Sequence, residues 1–229
     1  MENNIPFISY LITCKNEGES LNQLLRLLNQ YKDGNECVVL DDYSDDVNTQ
    51  SILKLATCDI NNSTGFIRLY QHALNNNYSE HKNYGKSLCK GKYIFQIDAD
   101  ELPSETLLQY LPELLELNYD VDLFWIPRIN DFLGVNQENA NQWGWRLTPY
   151  ENRMIVNWPD PQGRLFKNLP NLKWERRLHE KIEGAKLFSY LPQVYEFALH
   201  HNKTIIKQIE TNLRYNKEFS SKENEGFKL

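Results

Sequence analysis

Residues 93–103 read YIFQIDADELP, an apolar run that ends in three acids within four positions, Asp98, Asp100 and Glu101. Tyr, Ile and Phe suit a pleated, buried surface, so KYIFQI (92–97) predicts a strand. PFISYLITC (6–14), ECVVL (36–40), GFIRLY (65–70) and DLFWIP (122–127) read the same way. Between the first two, Leu21, Leu24, Leu25 and Leu28 recur at i, i+3, i+4 and i+7, the stripe of a helix laid on a sheet. Residues 46–57 and 79–90 supply two more helices. Pro103 and Ser104 open a fourth, carrying Leu107, Leu108, Leu111, Leu114 and Leu115. Strand alternating with helix predicts an α/β fold with a mostly parallel sheet covered on both faces.

In such sheets ligands gather at the carboxyl ends of strands. Three polar clusters fall there: Thr13-Cys14-Lys15-Asn16-Glu17, Asp41-Asp42-Tyr43-Ser44, and Asp98-Ala99-Asp100-Glu101. Residues i and i+2 of an extended chain share a side, so Asp98 and Asp100 can face one point. A divalent cation would relieve their repulsion, since Mg²⁺ or Mn²⁺ takes carboxylate and phosphate oxygens together. The plain alternative is an acidic helix start, favourable wherever a helix dipole begins.

Composition sets the bounds. The 229 residues are 41% hydrophobic and 24% charged, an ordinary globular balance, and no stretch approaches the ~20 apolar residues of a membrane span. The first residues lack the basic start and cleavage site of a signal peptide, so a cytoplasmic protein is expected. Cys14, Cys37, Cys58 and Cys89 form no CxxC pair, and Cys14 and Cys37 sit in apolar runs as small buried hydrophobes. The net charge of −6 divides unevenly, with 11 Lys/Arg against 21 Asp/Glu over residues 1–150 and 14 against 10 over 151–229. A basic last third fits weak association with anionic lipid or nucleic acid. Residues 129–161, rich in Asn, Gln, Pro and Trp, read as a long irregular stretch. GRLFK (163–167) and VYEFAL (194–199) follow as strands. Residues 203–218 form a last helix with Ile205, Ile206, Ile209 and Leu213 on one face, and SSKENEGFKL is a polar tail expected to be mobile.

Taken in order, ISYLITCKNEGESLNQLL, ECVVLDDYSDD and GKYIFQIDADELP resemble the family 2 glycosyltransferases of the GT-A fold. That family has an apolar strand ending in a T-x-N-E-like turn, then V-V-D-D-x-S, then a DxD. Tyr43 stands where glycine is commoner, and Lys82-Asn83 resembles the basic-residue-Asn pair that precedes the DxD strand. WPDPQGRLFKN (158–168), RLHEKIEG (177–184) and HNKTIIKQIETNLRY (201–215) resemble P-D-x-Q-x-R-L-F-R, V-H-E-x-I-x-G and H-x-K-T segments of one subgroup. The likeness covers about 200 of the 229 residues, although the family's E-D pair is replaced by His179-Glu180.

The resemblance implies a nucleotide-diphospho-sugar transferase fold, with a mostly parallel sheet flanked by helices and a small C-terminal acceptor-side extension. Residues 1–130 would bind the nucleotide-sugar, 131–202 the acceptor within the same domain, and 203–229 would be a helix and tail. Asp42 would meet the nucleobase, with Thr13, Lys15, Asn16, Glu17 and Asp41 around it. Asp98 and Ala99 would lie near the ribose, Asp98 and Asp100 would meet Mn²⁺ or Mg²⁺ with Asp100 ligating it directly, and His201, or His200 beside it, would complete the metal shell. Lys82, with Asn83 next to it, and Arg164 would add charge near the diphosphate. For the base of an inverting transfer, Glu180 comes first and Asp160 second, while His179 could be base, ligand or donor contact. Trp143, Trp145 and Trp158 would pack against the acceptor sugar or fill a core under the loop. A UDP-sugar is the expected donor. The acceptor would be a hydroxyl of a surface glycan such as lipopolysaccharide core, or of a modified DNA base in a phage setting. A nucleotidyltransferase would carry a glycine-rich loop after its first strand, and ITCKNEGES holds one glycine. A non-catalytic module that binds nucleotide-sugars or glycans is the other alternative.

Overall fold

The computed structural model describes residues 5–58, 65–220 and 223–224. The chain runs β1 (Ile8–Cys14), α1 (Gly18–Leu28), β2 (Glu36–Asp41), α2 (Val47–Thr57), β3 (Ile67–Gln71), α3 (Tyr78–Leu88), β4 (Tyr93–Asp98) and β5 (Glu101–Pro103). It continues through α4 (Glu105–Leu117), β6 (Leu123–Ile126), β7 (Arg128–Leu133), α5 (Gln137–Trp143), β8 (Leu147–Tyr150), β9 (Arg153–Val156) and β10 (Gln162–Lys167). β11 (Lys173–Glu175), β12 (Lys181–Glu183), β13 (Phe188–Tyr190), β14 (Leu199–Thr204) and α6 (Ile205–Glu218) complete it.

Seven strands form the central sheet in the order β13-β6-β10-β4-β1-β2-β3. β3, β2, β1 and β4 are parallel, and β10 runs antiparallel between β4 and β6. β1 and β2 are buried almost throughout because helices cover both sheet faces, which is why they read as continuous apolar runs. Register levels the strand ends: Thr13 lies beside both Leu40 and Asp98, and Cys14 beside Asp41. The three polar clusters therefore share one sheet edge. Helix starts match their sequence signals, with Asp46, Asn77 and Ser104 capping α2, α3 and α4.

α3 lies tight on the sheet because residue 85 is glycine. A Cβ there would come within 2.7 Å of Leu11 Cδ1 and 3.2 Å of Leu40 Cδ2. Lys82, three residues earlier and so on the same helix face, is thereby brought down to the site.

Three expectations need correction. Residues 129–161 are not irregular, for they supply β7, α5, β8 and β9 of a second sheet ordered β5-β14-β7-β9-β8. Residues 194–199 are not a strand: Tyr195–Phe197 make a 3₁₀ turn and pairing begins at Leu199, where β14 meets β5 and β7. α6 does not bury its apolar stripe, as Ile206 and Leu213 are exposed and Asn212 is the buried residue. Cys14 and Cys37 are buried free thiols, in keeping with their apolar runs. Most of the tail lies outside the described residues, and its expected mobility with it.

Candidate active site

A cleft of about 990 Å³ opens at the carboxyl ends of β1, β2 and β4. Thr13, Lys15, Asn16, Glu17, Asp42, Lys82, Asp98, Ala99, Asp100, Asp160, Arg164, His179, Glu180 and His201 all line it. Residues spread over 189 positions of sequence thus converge on one space, as the strand-end argument requires.

The acids of YIFQIDADELP are held by protein cations. Arg164 Nη2 lies 2.6 Å from Asp98 Oδ2 and 2.8 Å from Glu101 Oε1, while its Nη1 donates to Gln96. Lys82 Nζ lies 3.3 Å from Asp98 Oδ1 and 2.6 Å from Glu180 Oε1. Arg128 pairs with Glu101 at 3.0 Å and with Asp160 at 2.7 Å. Burial works to raise the Asp98 pKa, yet Arg164 and Lys82 overcome it and hold that carboxyl well below the usual range. Protein cations thus already offset part of the charge for which a metal was expected. Asp98 also accepts from Thr13 Oγ1 and Gln96 Nε2, so both its oxygens are engaged within the protein.

Asp100 and His201 form a different pair. His201 stands beside Glu101 and Asn130 in the second sheet, which carries it to the end of the DADE turn. Asn130 Nδ2 donates to Asp160 at 2.7 Å, so its Oδ1 is an acceptor, and His201 Nδ1, 2.9 Å away, must carry the proton. His201 Nε2 is then left 3.4 Å from Asp100 Oδ2. Burial raises the Asp100 pKa, but His201, when its Nε2 also carries a proton, more than offsets it and brings it to about 2; a metal would take that proton's place. An imidazole nitrogen whose other N–H is anchored, opposite a carboxylate oxygen, is a donor set that suits Mn²⁺ or Mg²⁺ completed by phosphate and water. Among the described residues no group of three or more His, Cys, Asp or Glu could hold a metal without such outside ligands.

Several expected residues stand elsewhere. Asp41, 1% exposed, folds back to accept from the Ser44 N–H and hydroxyl and from Gln71, so it shapes the turn and does not line the cleft. Asn83 exchanges two hydrogen bonds with the backbone of Trp174 and ties α3 to β11. Asp160 does line the cleft, but its carboxylate is spent on Arg128, Asn130 and Gln162, which leaves it poorly placed to take a proton. Trp143 packs on Trp145, Trp145 on Phe132, and Trp158 on Tyr195 against Ala198 and the second sheet's Ile129 and Ile155; none of the three lines the cleft. His200 alternates away from His201 along β14 and is likewise absent from the lining.

Other lining residues escaped the sequence reading. Lys203, Lys207, Gln208, Thr211, Arg214 and Tyr215 of β14 and α6 face the cleft, and Lys207 pairs with Glu17 at 2.6 Å. Lys207 and Arg214, seven residues apart, mark one face of α6, but the isoleucines beside them drew the stripe to the wrong side. Tyr78, His81, Trp125 and Trp174 also line it. Asn16, Tyr43, Asp160 and His179 have positive φ, between 39° and 57°. That conformation explains why glycine would suit position 43 better than tyrosine.

The parallel sheet, the antiparallel β10 and the acidic edge define a GT-A fold. The glycosyl transferase family 2 model matches residues 9–173, more than two thirds of the chain, and the chain belongs to that family. Among solved structures, S. aureus TarS matches with a TM-score of 0.58 and 15% identity, covering 87% of this chain and 37% of TarS. TarS 1–349 in complex with UDP-GlcNAc matches with a TM-score of 0.59 and 14% identity, covering 86% of this chain and 58% of that one. This chain thus spans well under two thirds of those proteins. No curated protein sequence matches it. Among the described residues no helix is long and apolar enough to cross a membrane.

Proposed function

We propose that the chain transfers a sugar from a nucleoside-diphosphate sugar, a UDP-sugar in the first instance, to a hydroxyl of a glycan, inverting the anomeric carbon. The observation that carries this reading is the charge layout of one cleft. Ordered carboxylates lie at the strand ends, and Lys203, Lys207 and Arg214 project from the α6 side. A ligand with a base and ribose at one end and a diphosphate at the other matches both. The UDP-GlcNAc held by TarS 1–349 supports a uridine donor.

Each residue then has a task. Asp42 Oδ1 accepts from the Leu74 N–H at 2.9 Å, which leaves its second oxygen for a nucleobase N–H. Lys15 is bonded to the Asp42 and Tyr43 carbonyls and fixes that loop. Asp98 orients Lys82 and Arg164. Asp100 and His201 would hold Mn²⁺ or Mg²⁺, whose Lewis acidity would stabilise charge on the departing diphosphate. Lys203, Lys207 and Arg214 share that burden. The acceptor oxygen bonds to the anomeric carbon as the bond from that carbon to the diphosphate oxygen breaks. The electron pair leaves with the nucleoside diphosphate, and Glu180 takes the hydroxyl proton. One displacement with one base inverts the centre.

The test is nucleoside-diphosphate release from a panel of UDP- and GDP-sugars, with Mn²⁺ and simple pyranoside acceptors present. Release from one donor that disappears in Glu180→Gln supports the proposal. No release from any donor overturns it.

A further inference from the structure

β10, β6 and β13 lie side by side beyond the carboxylate network and set three unlike residues in a row. Gly163 is registered with Trp125, and Trp125 with Tyr190. The Trp125 and Tyr190 rings stack with centroids 5.9 Å apart and planes at 23°. β6 lies between β13 and β10, so tyrosine covers one face of the indole and the other turns toward β10. On that side stands glycine. A Cβ at Gly163 would meet Leu123 at 3.5 Å and Trp125 Cδ2 at 3.8 Å, so the space beside the indole is one that any side chain would begin to fill.

Leu123, Trp125 and Gly163 line the same cleft as Glu180. Tyr190 is 50% exposed and Phe188, two residues earlier on β13, 56%, so aromatic surface continues outward from the cleft. Gln162 and Lys181 add polar groups at its inner end. Asp42 follows β2, on the other side of β4, so a donor base there leaves the Trp125 side free.

We infer that Trp125, with Gly163 as its open floor, is an acceptor subsite that stacks a pyranose ring. The inference rests on the reading of the chain as a sugar transferase. A pyranose has an apolar C–H face that packs on an aromatic ring, while its hydroxyls reach the polar rim and the Glu180 carboxylate. Tyr190 braces the indole, and Phe188 extends the shelf toward a second sugar.

Saturation-transfer NMR with UDP present tests this, using the methyl pyranosides of glucose, galactose, mannose and N-acetylglucosamine as probes. Ring C–H protons of at least one pyranoside should receive saturation. Gly163→Val fills the space and removes no core atom, and it should weaken that binding about tenfold, the worth of one aromatic–sugar stack. Trp125→Leu should do the same and Trp125→Phe should keep most of it. The subsite is overturned if Gly163→Val and Trp125→Leu bind pyranosides like wild type. It is also overturned if no pyranoside binds while UDP still raises the melting temperature, an outcome that spares the transferase reading. A protein that binds neither UDP nor any UDP-sugar loses both.

Discussion

Glu180 Oε1 lies 2.6 Å from Lys82 Nζ, although 98 residues separate them. The same ammonium reaches Asp98 and Gln96, so one buried lysine couples the expected base to the DxD strand. Replacing Glu180 with glutamine keeps a hydrogen-bond acceptor for Lys82 and removes the proton acceptor. Glu180→Gln should therefore fold normally and bind a UDP-sugar as wild type does, while kcat falls roughly 10²–10⁴-fold, the usual worth of a positioned base. A near-wild-type kcat would move the base elsewhere.

Arg164 is 7% exposed and is the shared partner of Asp98 and Glu101. Arg164→Ala takes one of two cations from each carboxylate, since Asp98 keeps Lys82 and Glu101 keeps Arg128, so the cost should be about 2–3 kcal/mol, below that of a wholly unpaired buried charge. For a chain of this size the melting temperature should drop roughly 4–12 °C. A calorimetric change of only a degree or two would show that water replaces the guanidinium without penalty.

His81 is buried on α3, with Nδ1 3.4 Å from His72 Nδ1, and burial lowers its pKa to about 4. Between about pH 6.5 and 4 the unfolded chain takes up a proton that the folded chain refuses. Stability attributable to this group is complete above pH 6.5 and should fall by about 3 kcal/mol as pH drops to 4. Urea melts of His81→Gln across that range should show a flatter acid limb than wild type. Parallel limbs would assign the acid sensitivity to other groups.

Gly85→Ala should cost about 1–3 kcal/mol, because its methyl meets Leu11 Cδ1 at 2.7 Å and α3 must lift. Lys82 lifts with it, so turnover should suffer more than the stability loss alone explains. Equal activity and stability would mean that Leu11 simply changes rotamer.

The strand ends were readable because a parallel sheet obliges its carboxyl edge to collect polar residues. Thr13, Asp42, Asp98 and Asp100 followed from that rule. What holds the acids was not readable, since Lys82, Arg128 and Arg164 reach them across 16 to 66 positions through pairings that a linear pattern does not reveal. The tryptophans misled for a related reason. Trp143, Trp145 and Trp158 read either as ligand contacts or as core fillers because their segment looked like a loop; once it folds as a second sheet, they pack on Phe132, Tyr195 and one another. Trp125 was hidden inside an ordinary strand, and only the register with Gly163 and Tyr190 gives it a role. Tyr43 is the reverse case, a residue whose departure from glycine makes sense only with its φ of 50°.

The most direct test of the central claim is a thermal-shift panel of UDP, GDP and their sugars, each with and without Mn²⁺, on wild type and Asp100→Asn. Ligand at 100 times its dissociation constant adds ~2.7 kcal/mol to stability, enough to move the transition clearly. The account predicts that one nucleotide-sugar raises the melting temperature when Mn²⁺ is present, and that Asp100→Asn keeps the fold but loses the Mn²⁺-dependent part. A flat panel on wild type would contradict the nucleotide-sugar site, and an Asp100→Asn response equal to wild type would remove Asp100 from the metal.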